Sequence, residues 1–233
     1  MKILEIFQNI IFPHRCPGCL KIIKNKTDFC KNCINQIKIY NNLFCPRCKN
    51  RILNINKICH PKEKFILGTA TDYNKITEQA IHFLKFQFVT SVANSLSNIL
   101  VNYFEQILKY YQINIKNFIV IPIPISKKRF NLRGFNQSEL IAKNFCDHFN
   151  LKLYNKNLIK IKNNKPQSEL KDINQRQINV LNCFQIQNPK EIINKNIILI
   201  DDIITTGSTI KEAVKILKLN KVKKIIALAV CKA

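Results

Sequence analysis

The sequence is poor in acids: 14 Asp and Glu stand against 38 Lys and Arg in 233 residues, a formal net charge of +24. It has no Trp, one Met and only four Gly. No apolar run approaches the ~20 residues needed to cross a bilayer, so no membrane span is expected. The N-terminal "MKILEIFQNIIF" is apolar at helical spacing. Glu5 interrupts it early and no small-residue cleavage site follows, so no signal peptide is expected and the cytoplasm is the expected location. None of the four glycines precedes a lysine, which excludes a Walker A phosphate loop. The shortage of acids favours anionic ligands over cationic ones. The excess of lysine itself has two readings: a polyanion-binding surface, or the solvated background of a chain rich in Ile, Asn and Lys. With 46% apolar residues the chain can build a core.

What is abundant is cysteine, and it is clustered. Seven of the ten lie between Cys16 and Cys59. Cys16-x2-Cys19-x10-Cys30-x2-Cys33 recurs 29 residues later as Cys45-x2-Cys48-x10-Cys59-x2-Lys62, matching at every position but the last. Paired CxxC knuckles in a reducing compartment indicate metal rather than disulfides. Cys16, Cys19, Cys30 and Cys33 can offer Zn²⁺ four thiolates, a closed site and hence a structural one. In the second copy Lys62 cannot serve as a ligand while protonated. Two readings stay open for it: His60, or else His14, completes a site with Cys45, Cys48 and Cys59, or this copy binds metal weakly or not at all and packs as apolar knuckles. Cys146, Cys183 and Cys231 are expected as small buried apolar residues. His82 and His148 fall in predicted helices and read as packed or surface histidines. In the basic N-terminal unit no stack of aromatics is evident of the kind that holds single strands.

From Phe65 onward apolar strands alternate with amphipathic helices. "FILGTATDY", "NFIVIPIPI", "NIILI" and "VKKIIALAV" read as strands, with "LKLY" and "LIKIK" as short ones. "KITEQAIHFLKF", "TSVANSLSNILVNYFEQILKYY", "NQSELIAKNFCDHFN" and "TIKEAVKILKL" read as helices. Asn136 with Glu139, and Thr209 with Glu212, have capping-box spacing. The pattern predicts an α/β domain with a parallel sheet over 66–233, preceded by a small metal-bound module over 1–65.

In "IILIDDIITTGST" (197–209), Asp201 and Asp202 end an apolar run and the chain turns at once into Thr205, Thr206, Gly207, Ser208 and Thr209. Ligands of open α/β sheets bind beyond the carboxyl ends of the strands. Gly207 allows a tight turn, and the amides and hydroxyls before a helix make an anion cradle. Carboxylates for sugar hydroxyls beside a phosphate pocket suit a ribose-5-phosphate. A second segment, "IPIPISKKRFNLRGFNQ", reads as a basic loop. It offers Lys127, Lys128, Arg129 and Arg133 as a pyrophosphate site, with Arg133 able to grip phosphate bidentately.

The 197–209 stretch resembles the phosphoribosyl pyrophosphate (PRPP) signature of type I phosphoribosyltransferases. The resemblance implies that Asp201 and Asp202 contact the ribose hydroxyls and that residues 205 to 209 hold the 5′-phosphate. Purine-salvage members often have an aspartate where this chain has Thr205, which speaks against a purine acceptor. "RGFNQSELIAK" (133–143), "KPQSELKDINQRQIN" (165–179), Phe184 and the cysteine repeat together resemble the competence protein F (ComF) family. That resemblance implies a zinc-ribbon module joined to a phosphoribosyltransferase-like domain. It further implies displacement at ribose C1 with Mg²⁺ bridging the diphosphate, Asp201, Asp202 and Arg133 carrying the chemistry, and a role in DNA uptake with single-stranded DNA as partner.

Overall fold

The computed structural model describes residues 14–23, 29–55, 59–60, 63, 65–163 and 178–233. The N-terminal apolar stretch, Lys62 and most of the "KPQSELKDINQRQIN" segment lie outside them. In chain order the elements are α1 (Lys31–Gln36), β1 (Leu43–Phe44), β2 (Arg51–Ile52), β3 (Ile66–Asp72), α2 (Lys75–Phe86), α3 (Val92–Tyr111) and β4 (Phe118–Pro122). They continue as α4 (Lys127–Arg133), α5 (Gln137–Phe149), β5 (Lys152–Leu153), β6 (Leu158–Lys160), β7 (Phe184–Ile186), α6 (Pro189–Ile192), β8 (Asn196–Ile204), α7 (Ser208–Leu219) and β9 (Lys224–Lys232).

The main sheet runs β2-β1-β3-β9-β8-β4-β5. From β3 to β5 every pairing is parallel, with β8 held between β9 and β4. These central strands are apolar almost throughout because both faces are covered. Ile198, Ile200, Ile226 and Leu228 meet α2, α3 and α5 on one side. Ile197, Leu199, Ala227 and Ala229 meet α7 and the β6–β7 hairpin on the other. The 20-residue α3 buries Leu96, Leu100, Tyr103, Phe104 and Ile107, an i, i+3, i+4 stripe that reads as a helix in the sequence.

The cysteine-rich unit is not a separate bead. Its strand β1 pairs antiparallel with β3 through Phe44 and Leu67, which extends the main sheet. Two tyrosines of α3 fasten it: Tyr103 Oη donates to the Asn42 carbonyl at 2.7 Å, and Tyr111 Oη accepts from Leu43 N at 3.2 Å.

Local differences from the expected elements have identifiable causes. The "basic loop" after β4 folds as α4, because Ser126 caps it by accepting from Arg129 N, and it stops at Gly134 in the left-handed region (φ 78°). The hairpin β6–β7 is antiparallel and stands apart from the main sheet. Neither expected capping box carries its glutamate. Glu139 accepts from Asn155 Nδ2 at 2.5 Å, and buried Glu212 accepts from Asn182 N at 2.9 Å. A complete capping box is present at the start of α2, between Asn74 and Thr77.

Candidate functional site

Asp201 and Asp202 do not follow β8, as the sequence suggested, but lie within it, before Ile203 and Ile204. Each is nearly enclosed by protein, and both line a cavity of about 410 Å³ at the carboxyl end of the sheet. A buried carboxylate needs partners. Asp201 Oδ1 accepts from Ser138 Oγ and from Asp202 N, each at 2.9 Å. Asp202 Oδ2 forms an ion pair with Lys85 Nζ from the last turn of α2. The two acids therefore differ. Burial and the adjacent Asp202 charge push Asp201 up to about 8, outweighing the opposite pull of Lys85 and Ser138. Asp201 thus gives up its proton less readily than an ordinary carboxyl, while Asp202 faces an ammonium.

The hydroxyl loop follows directly. Gly207 has φ 77°, a conformation a Cβ would strain, and it precedes the first turn of α7. The Thr206 and Ser208 hydroxyls are 2.7 Å apart, and Ser208 N donates to Thr206 Oγ1 at 3.3 Å. Thr205 and Thr209 line the main cavity together with the acids. Thr206 and Gly207 also face a second hollow of about 40 Å³, whose far side is Pro46 and Lys49 of the cysteine-rich unit.

The four expected cations separate. Arg129 and Arg133, one helical turn apart on α4, line the cavity, whereas Lys127 and Lys128 are exposed and do not. Arg133 Nη1 donates to Gln137 Oε1 at 3.0 Å, and its guanidinium lies 5.4 Å from the centroid of the Phe86 ring. Burial, aided by the Arg129 charge, draws Arg133 below its ordinary value.

Lys85, Ser138 and Lys160 also line the cavity, and the sequence did not single them out. Lys85 reads as one more polar position of an amphipathic helix. Ser138 sits among the polar residues that open α5. Lys160 stands on β6, where burial holds its ammonium below the usual value. Only contacts distant in sequence reveal these three. His82 is exposed, as expected of a surface histidine, and also lines the cavity, its ring centroid 5.1 Å from that of Phe86.

Both cysteine groups converge. Cys16, Cys19, Cys30 and Cys33 form one cluster, and Cys45, Cys48, Cys59 and His60 the other. In each, the ligand atoms lie within 4.8 Å of one another. The sulfurs of Cys19 and Cys30 are 3.7 Å apart and those of Cys48 and Cys59 are 3.5 Å apart. A tetrahedron with Zn–S bonds of ~2.3 Å has edges of about 3.8 Å, so these spacings fit zinc. His60 Nδ1 lies 3.4 Å from the sulfurs of both Cys45 and Cys59. His60 rather than His14 is thus the fourth member of the second group. At Cys45 burial opposes ionisation, yet hydrogen bonds from the Cys48 and Arg47 backbone help bring the thiol down to about 6. Its neighbour Cys59 is pushed the other way, up to about 12, chiefly by the hydrogen bond with Cys45, so without a metal the group shares its protons unequally.

Comparison with known proteins agrees with both halves. Residues 7–61 match the double zinc ribbon domain, and residues 141–233 match the phosphoribosyl transferase domain. DNA utilization protein YhgH of Escherichia coli K12 is 24% identical over 88% of this chain and 84% of its own length. Competence protein F of Haemophilus influenzae is 26% identical over 87% of this chain and 83% of its own length. Among solved structures, a hypoxanthine phosphoribosyltransferase from Staphylococcus aureus aligns over 59% of this chain and 62% of its own, with 15% identity and a TM-score of 0.36. With a double zinc ribbon match ahead of a phosphoribosyl transferase match, the chain is similar along most of its length to proteins named for competence and DNA utilization.

Proposed function

We propose that the 410 Å³ cavity binds a ribose-5-phosphate group, carried by PRPP or a nucleotide, and that the protein transfers or senses it. The observation that carries the reading is that one cavity is lined by groups of both signs. Asp201 and Asp202 of β8 and the hydroxyl residues Thr205 and Thr209 line it together with Arg129 and Arg133 of α4. In this reading the ribose hydroxyls meet the acids, the 5′-phosphate takes the amides and hydroxyls of 205–209, and a diphosphate lies against the arginines. Transfer would break the bond from ribose C1 to the diphosphate oxygen, which leaves with the electron pair. A nucleophile would bond to C1 and lose its proton. Positioning and cations on the leaving group would supply the catalysis. Lys127 and Lys128, exposed away from the cavity, have no part in this reading.

Mg²⁺, expected with PRPP from the sequence, finds a poor donor set here. It is usually held by one or two ionised carboxylates together with phosphates. Asp202 is already paired with Lys85, Asp201 ionises less readily than an ordinary carboxyl, and Glu78, which also lines the cavity, is exposed.

A ligand-dependent melting experiment tests the reading. PRPP or a nucleoside 5′-monophosphate should raise the Tm of the full chain, and Asp201→Asn with Asp202→Asn should remove the effect. No shift with any of these ligands sinks it.

A second reading has its own support. The relatives are named for DNA utilization and competence, and the charge of +24 suits a polyanion. A cytoplasmic factor that handles single-stranded DNA would bind it with a steep salt dependence that Asp202→Asn leaves unchanged.

A further inference from the structure

We infer that Lys85 is the built-in counter-cation of the acidic pair, so that the site takes its sugar-phosphate ligand without a divalent metal. The inference rests on the PRPP reading above and adds to it a positioning residue and an ionic requirement.

The geometry begins with Asp202, whose side chain is 3% exposed and whose Oδ2 meets Lys85 Nζ, itself 17% exposed. Two adjacent buried carboxylates cannot both ionise cheaply. Here the conflict is divided: a cation stands at Asp202, and hydrogen bonds from Ser138 Oγ and Asp202 N cover Asp201 Oδ1. An ammonium at the wall of the cavity does what a bound metal would do there. It neutralises the acid, fixes its orientation, and turns a positive group toward an incoming phosphate or hydroxyl. The lining already supplies further positive groups in Arg129, Arg133 and Lys160. A divalent ion at the acids would have to displace Lys85 and enter a field of like charge, which opposes it. The feature is fixed by the fold: Lys85 lies in the last turn of α2, whose Ile81 and Leu84 are buried in the core, so the ammonium is delivered by a packed helix rather than a loose loop.

The experiment is PRPP titration of the full chain, followed by calorimetry and Tm, in EDTA and in Mg²⁺. Wild type should bind with affinities that agree within about threefold in the two buffers, well under the tenfold that one lost charge contact of about 1.4 kcal/mol would cause. Lys85→Met should bind at least about tenfold more weakly in EDTA and regain affinity in Mg²⁺, while Lys85→Arg, which keeps the charge in a larger and differently shaped group, should bind in EDTA more tightly than Lys85→Met. Wild-type binding that needs Mg²⁺ overturns the inference, and this arm does not depend on any variant folding. Unchanged binding by Lys85→Met in EDTA overturns it too. No binding in either buffer removes the PRPP reading itself, and this inference with it.

Discussion

Ser138 Oγ donates to Asp201 Oδ1 at 2.9 Å, and the bond joins the first turn of α5 to the central strand β8 across 63 residues of sequence. It places a helix start beside an acid that would otherwise be poorly satisfied. Ser138→Ala should therefore destabilise the fold by about 1–3 kcal/mol, the cost of losing a partner for a buried polar group. Denaturant unfolding measures this, and a change below about 0.5 kcal/mol would show the bond to be dispensable.

Asp201 also makes stability depend on pH. Its carboxyl is raised from 3.8 to about 8 in the folded chain, so folding binds a proton between those values. The stabilisation is complete below the unfolded value and is lost as pH rises through the folded one. Wild-type Tm should fall as pH climbs from about 5 toward 9. Asp201→Asn, which keeps the shape and has nothing to ionise, should give a flatter profile and the higher Tm at the alkaline end. Parallel profiles for the two proteins would contradict the assignment.

The cations of α4 should separate by position. Arg133→Ala should weaken PRPP binding by about tenfold or more, because a guanidinium in a cavity holds phosphate by charge-assisted hydrogen bonds. Lys127→Ala with Lys128→Ala should change it by less than about threefold, since exposed charges contribute little. Equal losses from both changes would mean that the surface, not the cavity, takes the anion.

Elemental analysis of the purified chain should find two zinc ions per molecule. His60→Ala should lower the second site's occupancy and leave the first intact. Chelation should cost stability on the order of several kcal/mol, as expected where metal binding and folding are coupled. A content of one zinc that His60→Ala does not alter would leave the second cluster without a metal.

Much of this fold can be read from the residues. The repeated CxxC spacing brings Cys16, Cys19, Cys30 and Cys33 together because metal ligands are fixed by local chain length. The α3 stripe is plain because one face packs and the other does not. Asp201, Asp202, Thr205 and Thr209 were found because a strand, a turn and a helix start place them within nine residues of one another. What stayed hidden depends on distant contacts. Lys85 precedes its partner Asp202 by 117 residues, and an amphipathic helix gives no sign which of its lysines turns inward. The helical state of α4 was missed because its seven residues include four cations and no buried residue, so no apolar period marks it. The end of β8 was misplaced because acids seldom continue a strand, yet here a cavity receives them.

The pairing of Phe44 with Leu67 has a consequence for anyone dividing this protein. β3 is flanked by β9 on one side and by β1 on the other. A chain cut just before Phe65 would bare the β3 edge at Leu67 and Ala70, which Phe44 and Tyr40 now cover, and so offer a template for self-association. Such a fragment should associate more than the full chain when the two are compared by light scattering, and the metal-binding module would then be a guard of the larger domain's edge as well.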